Sequence, residues 1–410
     1  MAEELIPHLF RTEYRKIVAV LGKRFGFDQL EVAEDIVSET FFVAAKTWGV
    51  KGNPPNPTAW LYNVAKNKAV NYLEHAQVFD SKIAPELKRE ASKSEEHEID
   101  LSPQNINDSQ LQMMFTVCHP SIPVEAQIGL SLRVLCGFGI DEIADAFLAD
   151  KDTINKRLFR AKQKLREENV KIGLPGPVEL EGRLQTVLRT IYLIFNEGYH
   201  SESNHITLRK DVCFEALRLC YMLVENASTN KPDVNALLSL MCFHASRFDA
   251  RLDENGEQIL YEEQDTTRWD TDLVRRGEYF LNMSAVGSKI SKYHLEAAIA
   301  YWHTNKEDTK EKWDNILSLY NELLMIEYSP MAALNRTYAL SKVQGKEIAI
   351  TEAKKLEQLT DSHFYFALLG ELYTGVDNKE AVRNLQTAFD MAKTPSDKNT
   401  IKKKIDKLMV

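Results

Sequence analysis

The chain is poor in the residues that interrupt helices. Its 410 residues include only 17 glycines and 13 prolines. Strand-like alternation of apolar and polar positions is scarce, so a sheet-based fold is not expected. No run of about 18 apolar residues occurs, which excludes an ordinary membrane-spanning helix. The opening MAEELIPHLFRTEYRK lacks the apolar segment of a secretory signal. A cytoplasmic protein without a membrane partner is the expectation. The five cysteines, Cys118, Cys136, Cys213, Cys220 and Cys242, are odd in number and form no CxxC pair. Cys118-His119 and Cys242 with His244 are fragments of a metal-ligand pattern, but zinc needs about four ligands and no second pair stands out. Buried, reduced thiols are the expected state, with no metal and no cofactor. Positive charge is also short. The net charge is −9, whereas a protein that grips DNA unaided is usually basic. Any nucleic-acid contact must be local and assisted by a partner.

What remains is helix nearly throughout, and an all-α fold is predicted. Phe10, Tyr14, Ile17, Val18 and Leu21 repeat at helical spacing, and Ala33, Ile36, Val37, Phe41, Ala44 and Trp48 make a second stripe. Asn56 suits an N-cap and Pro57 a first helical position. The helix they start has Trp60, Leu61, Val64, Ala65 and Tyr72 as its apolar face. Residues 1–76 therefore read as one domain. Residues 77–108 are polar and charged, and read as a flexible linker with room for one short helix. Pattern returns over 109–170. The stretch GLPGP, Gly173 to Pro177, marks the next boundary. Beyond it, 176–300 reads as a helical extension. Residues 301–410 carry a loose tetratricopeptide-like pattern, with Leu369, Gly370, Tyr373, Ala381 and Ala388 near the repeat's offsets and related units around Ala333 and over Ala297 to Pro330. Small residues in such units let paired helices approach closely and stack into a solenoid; a plain bundle is the alternative.

The stretch DEIADAFLADKDTINKRLFRAKQKL, Asp141 to Leu165, reads as helix, tight turn, helix. Ile154, Leu158, Ala161 and Leu165 form one apolar stripe. Lys156, Arg160 and Lys164 lie elsewhere on the helix with Arg157 beside them, and Asp150 is placed to cap its start. Leu148 occupies a turn position that glycine would fill more easily. This is the helix-turn-helix pattern, whose second helix enters the major groove. Thr153, Asn155 and Lys156 would reach base edges, and Arg157, Arg160 and Lys164 would hold phosphates. A solvated helix with a basic outer face is the competing reading.

Taken together, these segments resemble bacterial sigma factors of the extracytoplasmic-function class. DEIADAFLADKDTINKRLFRAKQKLRE is similar to their region 4.2, AEDIVSETFFVAAKTW to region 2.2, and NPTAWLYNVAKNKAVNYLEH to regions 2.3 and 2.4, in the right order. MMFTVCHPSIPVEAQIGLSLRVLCGF, IYLIFNEGYHS, YEEQDTTRWD and SPMAALNRTYAL resemble the subgroup with a long C-terminal helical extension. The resemblance implies a region 2 domain of three or four helices, a linker, a region 4 helix-turn-helix domain and the extension. It implies core RNA polymerase as partner, through its β′ clamp helices and β flap, and promoter DNA. Glu34, Asp35, Glu39 and Phe42 would form the exposed face that docks on the clamp helices, acidic groups suiting a partner rich in arginine. Trp60, Asn63, Lys66, Asn67, Lys68 and Asn71 would capture unpaired −10 bases by stacking and amide hydrogen bonds. Thr153, Asn155, Lys156, Arg157, Arg160 and Lys164 would read the −35 element. Trp60 also fits a core position. Many relatives carry a basic residue where Asn155 stands.

The extension is expected to regulate in cis, as a tethered module whose docking is effectively intramolecular, and a peptide or protein partner for it is open. An enzyme is not expected. Glu197, Glu262, Glu263 and Asp265 supply carboxylates with His200 and His205 nearby, but no nucleophile motif, P-loop or HExxH accompanies them. Tyr192, Asn196, Tyr199, Asp265, Arg268 and Trp269 read as a packed polar network or a partner surface. The alternative function is a one-component helix-turn-helix regulator with a peptide-binding solenoid, which leaves the first 76 residues without a role.

Overall fold

In the computed structural model, residues 2–83, 99–147, 149–199, 209–254 and 259–409 are described. Among them the fold is all-α, with 18 α-helices and no strand, and no helix is long and apolar enough to cross a membrane. The chain divides into two compact units, Met1–Ile194 and Phe195–Val410.

The first unit begins with α1 (Ala2–Phe25), α2 (Leu30–Lys51) and α3 (Pro57–Ile83). The apolar stripes are buried as expected: Ile17, Leu21, Val37, Ala44, Leu61 and Ala65 are sealed from solvent. Asn56 caps α3, its Oδ1 accepting from Ala59 N at 3.0 Å. Glu13 on α1 holds α3 in place by accepting from Tyr62 Oη at 2.6 Å. Helix α3 runs on past the expected break at Gln77. The central residues 84–98 of the expected linker lie outside the described residues.

Helix α4 (Pro103–Val117) starts earlier than hydrophobic periodicity alone suggests. Ser102 accepts from Asn105 N, and Pro103 takes the first helical position, the same cap chemistry as at Asn56-Pro57. Ile99 and Ile106 are already buried. α5 (Val124–Leu130) follows and leads into a π turn at Ser131–Leu135. Next come α6 (Ile140–Ala146) and α7 (Lys151–Glu167). Leu148, in the turn between them, lies outside the described residues. Most of α8 (Pro177–Tyr199), residues 177–194, also packs in this unit. Arg183 donates to Phe115 O at 2.5 Å and Thr190 Oγ1 to Gln127 Oε1 at 3.0 Å. The Gly173–Pro177 stop is thus a break in helix but not in packing.

The second unit holds α9 (Lys210–Glu225), α10 (Pro232–Ala245), α11 (Thr271–Ser284), α12 (Lys292–Trp302) and α13 (Lys310–Ile326). It continues through α14 (Pro330–Gln344), α15 (Lys346–Ala353), α16 (His363–Tyr373), α17 (Asn378–Met391) and α18 (Pro395–Met409). From α12 onward each helix packs on the next. Gly370 explains how closely α16 and α17 approach: an added Cβ would stand 2.5 Å from Leu385 Cγ. Pro395 opens α18 behind a Thr394 cap that accepts from Asp397 N at 3.1 Å.

All five cysteines are buried and unpaired with one another. Burial pushes the Cys118 thiol up to about 11 and those of Cys213 and Cys242 up to about 12, so they stay protonated near neutrality.

Candidate nucleic-acid interface

Helix α7 divides into faces of different chemistry. Ile154, Leu158, Ala161 and Leu165 are buried, which fixes the helix and turns the remaining sectors outward. Asp150 caps its start, accepting from Thr153 N at 2.8 Å and from Thr153 Oγ1 at 2.7 Å. Those bonds, led by the Thr153 hydroxyl, hold the Asp150 carboxyl below its usual range. Thr153, Asn155, Lys156, Arg160 and Lys164 are exposed. Arg157 is half-buried, its guanidinium 6.0 Å from the centre of the Phe147 ring. Lys164 pairs with Glu168 at 2.7 Å on the open surface. Lys151 pairs with Asp141 at 2.7 Å and so ties α7 to α6.

At 3.6 residues per turn, Thr153, Lys156, Arg157, Arg160 and Lys164 share one broad side of α7, while Asn155 projects to the opposite flank. That flank carries two cations that sequence reasoning passed over. Lys162 Nζ lies 2.8 Å from Glu34 Oε2, with only 12% and 14% of the two side chains exposed. Arg166 meets Glu31 at 3.1 Å. Both pairs fasten α7 to α2. A signal existed: position 162 adjoins the apolar stripe, where a basic residue needs a partner.

On α2 the four residues named for polymerase docking do not share one exposed face. Asp35, Glu39 and Phe42 are exposed along one side, with Phe42 57% open and Lys46 Nζ 4.2 Å from its ring centre. Glu34 does not belong to that exposed face. It precedes Asp35 by one residue, about 100° around the helix, which points it sideways, and the Lys162 pair covers it.

On α3, Asn63, Asn67 and Asn71 are all exposed and follow one another at one-turn intervals. Trp60 lies in the same sector. It is half-buried, with its ring edge-on to Trp48 at 5.3 Å, so it serves the core and still borders the amide row. Lys66 is half-buried beside the row. Lys68 departs from it: at 3.0 Å from Glu39, it turns toward α2. The arrangement offers stacking surface, amides and cations on α3, and a cationic side on α7.

The residues considered for catalysis do not converge. Glu262 meets Tyr338 Oη at 3.3 Å, Glu263 pairs with Lys407 at 3.0 Å, and Asp265 caps Thr267 N at 2.9 Å. His200 and His205 lie outside the described residues.

Comparison with known proteins adds an independent line. An uncharacterized protein of Rhizobium meliloti is 30% identical over 370 residues, covering 89% of this chain and 86% of that protein. The chain belongs to that family. Within it, residues 9–78 match sigma-70 region 2, and residues 183–285 match a family of unknown function, DUF6596. The family member also resembles extracytoplasmic-function sigma-E factors of Salmonella typhimurium and Escherichia coli. Each is 27% identical over 137 residues, 32% of this chain and 69% of theirs. No solved structure matches. These similarities support a sigma factor, a protein that acts by binding DNA to start transcription rather than by catalysis.

Proposed function

We propose that this family member associates with core RNA polymerase, recognises the −10 and −35 elements of promoters, and is regulated in cis by its C-terminal helices. The observation that carries the reading is the pair of solvent-facing rows, amides and Trp60 on α3 and cations on α7, each opposite a buried apolar stripe. In this reading Asp35, Glu39 and Phe42 dock on the β′ clamp helices. Trp60, Asn63, Lys66, Asn67 and Asn71 take unpaired −10 bases, where ring stacking is worth about 1–3 kcal/mol per base. Helices α6 and α7 act as a helix-turn-helix, with Lys156 nearest the base edges and Arg157, Arg160 and Lys164 on phosphates. Asn155, exposed on the opposite flank of α7, would contribute from that side. The −35-reading domain also contacts the β flap, and the site of action is the cytoplasm.

Distance sets a further requirement. Elements about 25 base pairs apart are separated by roughly 80 Å, at 3.4 Å per pair. A compact unit of 194 residues has a radius of gyration near ~16 Å. Helices α3 and α7 cannot reach both elements while they share one packed unit. Promoter engagement therefore requires α7 to leave α2, breaking the Lys162–Glu34 and Arg166–Glu31 pairs.

Run-off transcription with core polymerase tests the proposal, comparing the full chain with one ending after Ile194. A cut at residue 176 would remove α8 and its bonds to Phe115 and Gln127 and would confuse regulation with misfolding. Promoter-specific transcripts that change in yield on truncation are expected. No association with core polymerase would reject the initiation role, and unchanged yield in all conditions would reject regulation in cis.

A further inference from the structure

Within the second unit a cleft of about 410 Å³ opens between Arg247, Tyr261 and Glu262 on one side and helices α13 and α14 on the other. Its size falls in the range of small-molecule sites. Its charge is lopsided. Arg247, Lys306, Lys312 and Lys342 line it against only two carboxylates, Glu262 and Asp308.

The cations are held mainly by neutral groups. Lys312 is buried, yet its Nζ donates to Asn305 O at 2.5 Å and to Tyr261 Oη at 3.3 Å. Lys306 Nζ donates to Glu262 O at 2.9 Å and Gln264 O at 2.6 Å. The Arg247 guanidinium rests 5.5 Å from the centre of the Tyr261 ring. Asp308 pairs closely with Lys342, at 3.1 Å, acts on Lys312 through space, and also accepts from Trp313 Nε1. The walls are aromatic. Trp313 and Tyr338 meet edge-on at 5.7 Å, and Tyr261 meets His303 edge-on at 5.3 Å. His303 adds no charge: burial, then Arg247 and Lys312, push its imidazole down to about 3.

Cleft cations that outnumber their carboxylates four to two are costly unless something anionic completes them. Ring walls give such an anion an apolar seat. We propose that this cleft binds a small organic anion, its carboxylate or phosphate head between Arg247 and Lys312 and its aromatic body against Trp313 and Tyr338. The proposal rests on the cleft alone, so it stands or falls separately from promoter recognition.

The test uses the full chain and three one-ring probes: phenyl phosphate, phenylacetate and the cation benzylamine. Calorimetric titration and quenching of tryptophan emission measure binding. At least one anion is expected to bind saturably with one-to-one stoichiometry, about tenfold or more tighter than benzylamine, a gap of about 1.4 kcal/mol. The stronger anion tells a phosphate ligand from a carboxylate one. Arg247→Gln is expected to weaken it about tenfold, and Lys342→Gln, at an open position that tolerates change, about threefold, as loss of charge-assisted bonds dictates. Should Arg247→Gln fail to fold, Lys342→Gln and Lys306→Gln carry the decision. Benzylamine binding as tightly as the anions, no saturable binding of either anion, or full affinity in the folded variants would overturn the proposal.

Discussion

Lys156 and Arg160 stand in solvent on α7, whereas Lys312 is buried among rings and carbonyls in the second unit. Both regions are cationic, but their settings favour different ligands. An exposed cation is screened over about 8–10 Å of salt solution and adds little by itself. It becomes useful in number, along a polyanion whose phosphates repeat. A recessed cation is screened far less and costs more to keep. It suits one small anion that completes it. Exposure, more than charge, thus separates a nucleic-acid surface from a small-molecule site in this chain.

The largest expected effect comes from reversing the exposed set. Lys156→Glu together with Arg160→Glu should cut promoter-directed transcription about a hundredfold or more, since one base-edge and one phosphate contact turn repulsive, and loss of the Arg160 phosphate contact should also reduce the salt slope by about one. The melting temperature should hold, because neither side chain is buried. Run-off assays and circular dichroism check both halves. A matching loss of fold would erase the distinction between the two settings.

The second effect tests the recessed set through His303. Its folded pKa near 3 lies below the ordinary value of 6.5, so the unfolded chain binds the extra proton. Stability is complete above pH 6.5 and falls as pH drops from there toward 3, by at most about 1.4 kcal/mol per pH unit. The paired carboxylates begin to contribute only near pH 4, because unfolded Asp and Glu titrate there. Between pH 6.5 and 4.5, urea unfolding of His303→Gln should show a shallower pH dependence than the parent. His119 in the first unit is also held low, by burial first and Arg183 second, so part of the slope should survive. Identical slopes would mean that burial and the cleft's cations do not hold His303 low.

Much of the fold was legible because helices announce themselves locally. The stripes Ile17–Leu21 and Ile154–Leu165, the Asn56 and Asp150 caps, and the small residues Gly370 and Ala381 all follow from spacing and cap chemistry. What escaped depends on tertiary placement or on caps that polar composition obscured. Ser102-Pro103 carries the Asn56-Pro57 signature inside a stretch taken for a linker, and Thr394-Pro395 repeats it near the C-terminus. The exposed amide row of α3 could be read from its spacing of four. The turn of Glu34 toward Lys162 could not, since the partner lies 128 residues away. Nor could the cleft, whose cations come from segments nearly a hundred residues apart and acquire a common meaning only when folded.

Lys162 crosses the divide between exposed and recessed charge: it belongs to α7 yet is nearly buried against Glu34. Glu34→Ala leaves that ammonium without its carboxylate and should cost about 1–2 kcal/mol, less than a fully buried pair because some solvent still reaches it. Glu168→Ala removes the partner of Lys164, where roughly half of each side chain is exposed, and should cost far less. Urea unfolding of the full chain measures both. Transcription then separates two roles for Glu34. As a latch, its loss favours release of α7 from α2 and raises promoter output by a factor of about five or more, the equivalent of 1 kcal/mol or above. As a polymerase contact, its loss lowers output instead. The opposite signs make one variant decide whether Glu34 is a docking residue, as the sequence alone implied, or the lock that holds the reading helix closed.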